Sequence, residues 1–179
     1  MSDALIVVDV QNDFVPGGAL AVPHGDEVVP RVRELIDSDA FDLVVATRDW
    51  HPPDHASFRE QGGPWPVHCV AGTPGAELVP GLAEARIDAV VDAGRARDDE
   101  GYSGFEGTRL AELLREHDVD RVTVLGLATD YCVRATALDA LREGLEVTLD
   151  TEGSRGIEAR PGDVERALED VRAAGGTVT

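Results

Sequence analysis

Hydrophobic positions fall into two alternating rhythms along the chain. Short apolar runs rich in β-branched residues occupy positions 4–8, 43–47, 89–91 and 122–125, with an alternating stretch at 145–149 and a final short one at 177–178. Runs of that length and make-up predict strands buried on both faces. Between them, apolar residues three and four apart predict helices at 26–36, 108–117, 135–142 and 161–174. Strands alternating with helices predict an α/β fold: a doubly wound, mostly parallel, six-stranded sheet in a three-layer αβα sandwich. No repeat, low-complexity tract or linker divides the sequence, so positions 1–179 read as a single domain.

In an open sheet of this kind, ligands bind beyond the carboxyl ends of the strands, where the strand order reverses. Asp9, Asp49 and Cys132 each lie just past an apolar run. With a strand order 3-2-1-4-5-6, the strands carrying Asp9 and Cys132 are neighbours at that reversal, and the one carrying Asp49 is next to them. Cys132 falls where a strand turns into a helix, so the first turn's free N–H groups and the helix dipole are expected to favour its thiolate. The alternative is a small buried hydrophobe. Asp9 ends a wholly apolar strand, which raises its pKa and suits it to pass a proton to and from a thiol; it can equally serve only to tie down the next loop. Backbone N–H groups around Ala128 and Cys132 are placed to form an oxyanion hole.

Asp49-x-His51, with His68 further on, offers two imidazoles and a carboxylate, a set suited to zinc, iron or manganese. His55 and Glu60 are lesser candidates, and ordinary loop histidines are the plainer reading. Cys69 reads as a packing residue. The long Pro- and Gly-rich segment from Pro53 to about Glu77 has the length of a functional loop. Phe14, Trp65 and Tyr102 lie in loops beside these residues, either as walls for a flat heteroaromatic ligand or as a roof on the core.

Composition narrows the partners. The chain has 35 Asp and Glu against 16 basic residues, every one of them Arg, for a net charge of −19. Nucleic acid and anionic membrane surfaces both demand a basic patch and are disfavoured. Two cysteines make no disulfide framework, and no apolar run reaches transmembrane length or resembles a signal peptide. A reducing, cytoplasmic setting is the expectation.

Several segments together resemble the nicotinamidase branch of the isochorismatase-like cysteine hydrolases. They are Val8-Asp9-Val10-Gln11-Asn12-Asp13-Phe14, Thr47-Arg48-Asp49-Trp50-His51-Pro52, Trp65-Pro66-Val67-His68-Cys69, Tyr102-Ser103-Gly104-Phe105 and Gly126 to Val133. The resemblance implies hydrolysis of nicotinamide to nicotinate and ammonia through a thioester on Cys132, with Asp9 as general acid/base. It implies one divalent metal on Asp49, His51 and His68, and a ring pocket walled by Phe14, Trp65, Tyr102, Leu127 and Tyr131. The oxyanion hole falls to Ala128 and Cys132, a non-proline cis peptide falls at Leu127–Ala128, and a homo-oligomer is a common assembly. One position departs from the pattern: the family's triad Lys maps to Ala93, and the chain contains no Lys at all. The sequence therefore supports a nicotinamidase of impaired rate, a related hydrolase of another small amide or ester, or a silent binder of pyridine ligands.

Overall fold

A computed structural model describes residues 1–179. Six strands form one sheet: β1 Ser2–Val8, β2 Leu43–Asp49, β3 Ala89–Ala93, β4 Val119–Leu127, β5 Glu146–Arg155 and β6 Thr177–Val178. Their order is β3-β2-β1-β4-β5-β6, the arrangement the strand–helix alternation implied, and every neighbouring pair is parallel. Five α-helices accompany them: α1 Val28–Asp37, α2 Pro80–Ala83, α3 Leu110–Glu116, α4 Arg134–Arg142 and α5 Asp163–Ala173.

Alternation along the strands splits the core in two. Ala4, Ile6 and Val8 of β1 pack with Leu110, Leu114, Ala137, Ala140, Leu168 and Val171, so α3, α4 and α5 cover one face. Leu5 and Val7 pack with Val28, Val32, Ile36 and Leu82, so α1 and α2 cover the other. β1 is buried on both sides throughout its apolar stretch. Each fully buried Val or Leu of this kind stabilises the fold by about 1.5–3 kcal/mol.

The boundaries differ from the sequence-based reading where local signals were weak. A 3-10 turn at Gly25–Glu27 precedes α1, and four-residue α2 starts on Pro80 without any prior periodicity. β2 and β3 run on to Asp49 and Ala93, so both residues end strands instead of starting loops. β5 continues through polar Thr151 to Arg155: its pairing with β4 breaks register after Leu149, extra β5 residues bulge out, and Gly126 and Leu127 then pair with Ser154 and Arg155. No helix is long and apolar enough to cross a membrane.

Candidate active site

The carboxyl ends of β1, β2 and β4 converge on one buried cluster. Asp9 follows β1 directly, in a left-handed conformation at φ 51°, and is 2% exposed. Its N–H donates to the Thr47 carbonyl at 3.1 Å, and the Thr47 hydroxyl donates to its Oδ1 at 2.7 Å. Cys132 lies on a π-helical turn, Thr129–Val133, that joins β4 to α4. Oxygen atoms of Asp9 and Asp49 and the Cys132 sulfur all lie within 4.8 Å of one another.

That crowding decides the protonation states. Burial, and then the negative charges of Asp9 and Asp49, push the Cys132 thiol well up. Burial and two carboxylates thus work against the thiolate expected at a helix terminus, and the cysteine precedes α4 instead of sitting in its first turn. Burial and the Asp49 charge likewise push the Asp9 carboxyl well up, against the hydrogen bonds from Cys132 and Thr47. The carboxyl group of Asp9 is thus within reach of the thiol as a proton partner.

Next to this pair, Asp49 Oδ2 stands 3.2 Å from His51 Nε2 and 3.6 Å from His68 Nε2. Each imidazole uses its other nitrogen on a backbone carbonyl, His51 Nδ1 on Gly94 at 2.8 Å and His68 Nδ1 on Pro66 at 2.8 Å. Both Nε2 atoms are thereby aimed inward, as metal-ligating histidines require. Burial would raise the Asp49 carboxyl, but its contacts with His51 and His68 hold it at about 2. Burial would lower the His51 imidazole, but its hydrogen bond to Asp49 raises it. Asp49 Oδ1 is buried and has no hydrogen-bond partner. An ionised carboxylate with an orphaned oxygen, flanked by two oriented imidazoles, fits a divalent cation. His55 is buried and stacks on His51 with ring centroids 3.9 Å apart, while its Nδ1 meets Ser57 Oγ; it does not join the cluster. Glu60 is exposed and also stands apart. Cys69 is a fully buried core residue.

A cavity enclosing about 430 Å³ of empty space, mouth included, opens above Cys132, His51 and His68. Phe14, Trp65, Tyr102, Tyr131 and Ala128 line it. Trp65 Nε1 donates to the Tyr102 hydroxyl at 3.0 Å and meets Tyr131 edge-on at 5.1 Å, so the three rings brace one another. Leu127 does not line this cavity: it is fully buried in the α1-side core, which also holds Phe14 and Val22. Alternation along β4 sends its side chain away from the cluster. The Leu127–Ala128 peptide is cis, and no protein acceptor takes the Ala128 N–H. Leu20, Val22 and Ile157 are walls that sequence reasoning missed. Ile157 follows β5, so the rule about strand ends that picked out Asp9 would also have found it.

Ala93 pairs with Asp49 across β2 and β3. Arg48 and Asp92, one position back, form an ion pair at 2.8 Å on the opposite face, so the Ala93 methyl lies on the Asp49 side. Neither nearby arginine turns to this place: Arg95 is exposed, and Arg97 is engaged with Asp54 and Asp98.

These features define a hydrolase-like site built on a doubly wound sheet, and comparison with known proteins agrees. The isochorismatase domain matches residues 3–179, and the chain belongs to that family. It is 41% identical to the nicotinamidase of Escherichia coli K12, over 98% of this chain and 93% of the relative. It is 43% identical to the nicotinamidase/pyrazinamidase of Mycobacterium tuberculosis H37Rv, over 96% and 95%. The crystal structure of the pyrazinamidase of Pyrococcus horikoshii in complex with zinc superposes with a TM-score of 0.91 at 53% identity, covering 100% of this chain and 99% of that one.

Proposed function

We propose that this chain is a nicotinamidase-type amidohydrolase that converts nicotinamide and water to nicotinate and ammonia. The observation that carries the reading is the burial of Asp9 and Cys132 together, beside the Asp49–His51–His68 group and beneath an aromatic cavity. The full-length similarity to nicotinamidases supports the choice of substrate.

Phe14, Trp65, Tyr102 and Tyr131 sandwich the flat ring and exclude water. Asp9 takes the thiol proton as Cys132 Sγ attacks the carboxamide carbon, and the N–H groups of Ala128 and Cys132 receive the developing oxyanion. Collapse of the tetrahedral intermediate expels ammonia, with Asp9 returning the proton to the leaving nitrogen. Water activated by Asp9 then attacks the thioester, releasing nicotinate and restoring the thiol. Asp49, His51 and His68 would hold a zinc, iron or manganese ion, which when bound supplies a Lewis acid to anchor the pyridine nitrogen.

The surface charge favours a small-molecule substrate and no nucleic-acid or membrane partner, and two free cysteines without a disulfide framework favour a reducing, cytoplasmic setting. The test is ammonia release from nicotinamide by the metal-loaded protein. Cys132→Ala is expected to abolish it, and turnover at the parent rate by that variant would remove Cys132 from the nucleophile's role. The buried methyl of Ala93 specifically favours a slow enzyme over a fast one.

A further inference from the structure

The loop after β1 carries three polar residues that the chemistry above leaves unused: Gln11, Asn12 and Asp13. Gln11 is fully buried, although its side chain is a neutral amide with nothing apolar to offer the core. Its Nε2 donates to the Asp49 carbonyl at 2.8 Å and to the Ala76 carbonyl at 2.8 Å, and its Oε1 accepts from the Asp49 N–H at 2.9 Å. Both main-chain polar groups of Asp49 are thus held by one side chain.

The reason lies in the ladder. β1 and β2 pair in parallel up to Val8 opposite Thr47, and the Asp9 N–H still reaches the Thr47 carbonyl. At Asp9 the chain turns left-handed, which delivers the carboxylate to Cys132 but carries β1 away from β2. Asp49 is left on the β1 side with an N–H and a carbonyl that have lost their strand neighbour. The Gln11 amide has the donor and acceptor of a peptide group and fills that place. Asp13 performs a related task on the second ligand segment. Its Oδ2 accepts from the N–H of Cys69, the residue after His68, at 2.8 Å, and its Oδ1 accepts from the Ala19 N–H at 3.2 Å. A side chain at Gly75 would collide with this carboxylate, so the 74–76 turn closes directly over it.

We propose that Gln11 is a positioning residue of the metal centre: it substitutes for the missing strand neighbour of Asp49 and, with Asp13, locks both ligand segments to the loop that carries Asp9. The inference rests on the reading of Asp49, His51 and His68 as metal ligands. Partners that orient the ligands of a metal typically control its affinity by 10–100-fold.

The experiment is a zinc titration of the metal-free, full-length protein against a competing chromophoric chelator, with folding followed in parallel by thermal melting. Gln11→Met keeps the volume and removes all three hydrogen bonds. It is expected to weaken zinc binding about ten-fold or more, and saturating zinc is expected to recover most of the lost turnover. Zinc affinity equal to the parent's in a folded Gln11→Met protein, with only a lower melting temperature, would overturn the proposal, because that is what a purely structural role predicts. If Gln11→Met does not fold, Asp13→Asn decides: it reverses one acceptor at near-constant shape, and unchanged zinc affinity there overturns the coupling. A parent protein that takes up no zinc would overturn the metal reading itself, an outcome distinct from equal uptake by parent and variant.

Discussion

Ala93 and the burial of Cys132 both lower the expected rate. Asp9 is the base proposed for Cys132, yet burial and then two neighbouring carboxylates push the thiol up. No Lys or Arg offsets them, because the residue facing Asp49 across the ladder is an alanine. Ala93→Lys is expected to raise the rate of nicotinamide deamidation by about 10²–10³-fold, the range by which one electrostatic stabiliser alters such a barrier. Ammonia release by the two proteins, with circular dichroism to confirm an unchanged fold, measures this; an equal or slower Lys form would mean that position 93 is not where the cation acts. His51 gives a pH prediction of defined sign. Its folded-state pKa is raised above 6.5, chiefly by the hydrogen bond to Asp49 that overcomes desolvation. A metal binds only the neutral imidazole, so zinc and protons compete there. Apparent zinc affinity is expected to be level at high pH and to fall as pH drops through the raised pKa, beginning above pH 6.5; a pH-independent affinity between pH 6 and 9 would exclude His51 as a ligand.

Among the elements, β4 sets the site. Gly126 has φ +128°, and a Cβ there would collide with the Val8 carbonyl oxygen, so only glycine lets β4 lie against the end of β1. Gly126→Ala is expected to destabilise the protein by about 1–3 kcal/mol through overpacking and to displace the turn that carries Cys132. Chemical denaturation should show the loss, and activity should fall further than unfolding alone explains. The same element marks how far the sequence could be read. The apolar runs of β1, β2 and β4 and the strand order were legible, because strands buried on both faces admit few polar residues. The convergence of Asp9, Asp49 and Cys132 followed from that order. The polar end of β5 was not legible, since its pairing resumes only after a bulge between Leu149 and Ser154 that leaves no trace in hydropathy. Leu127 was assigned to the pocket by resemblance, and strand alternation turned it away. The thiol's state also escaped local reading: it depends on carboxylates brought from positions 9 and 49 by tertiary structure.

Charge is the property of the molecule as a whole that local structure explains least. A net charge of −19 on a single small sheet sandwich leaves many carboxylates without an arginine of their own. The ion pairs that do form are mostly at the surface, as in Arg109 with Glu112 and Arg172 with Glu165 and Glu169, where each adds little. The dominant whole-molecule term is therefore self-repulsion, which opposes the compact state more than the expanded one. Salt removes it: the screening length shrinks from about 10 Å at 0.1 M to about 3 Å at 1 M. The melting temperature is expected to climb steeply between 0.1 and 1 M KCl and to level off beyond that. A gain of about 2 kcal/mol would appear as roughly 4–8 °C for a chain of this size. General salting-out also stabilises proteins, but it keeps rising with concentration and ignores the protein's charge. Replacing the exposed Glu60, Glu84 and Asp120 with their amides separates the two effects. The triple variant is expected to melt higher than the parent at 0.1 M KCl and to gain less on reaching 1 M. Equal gains in the two proteins would show that repulsion is not what salt relieves.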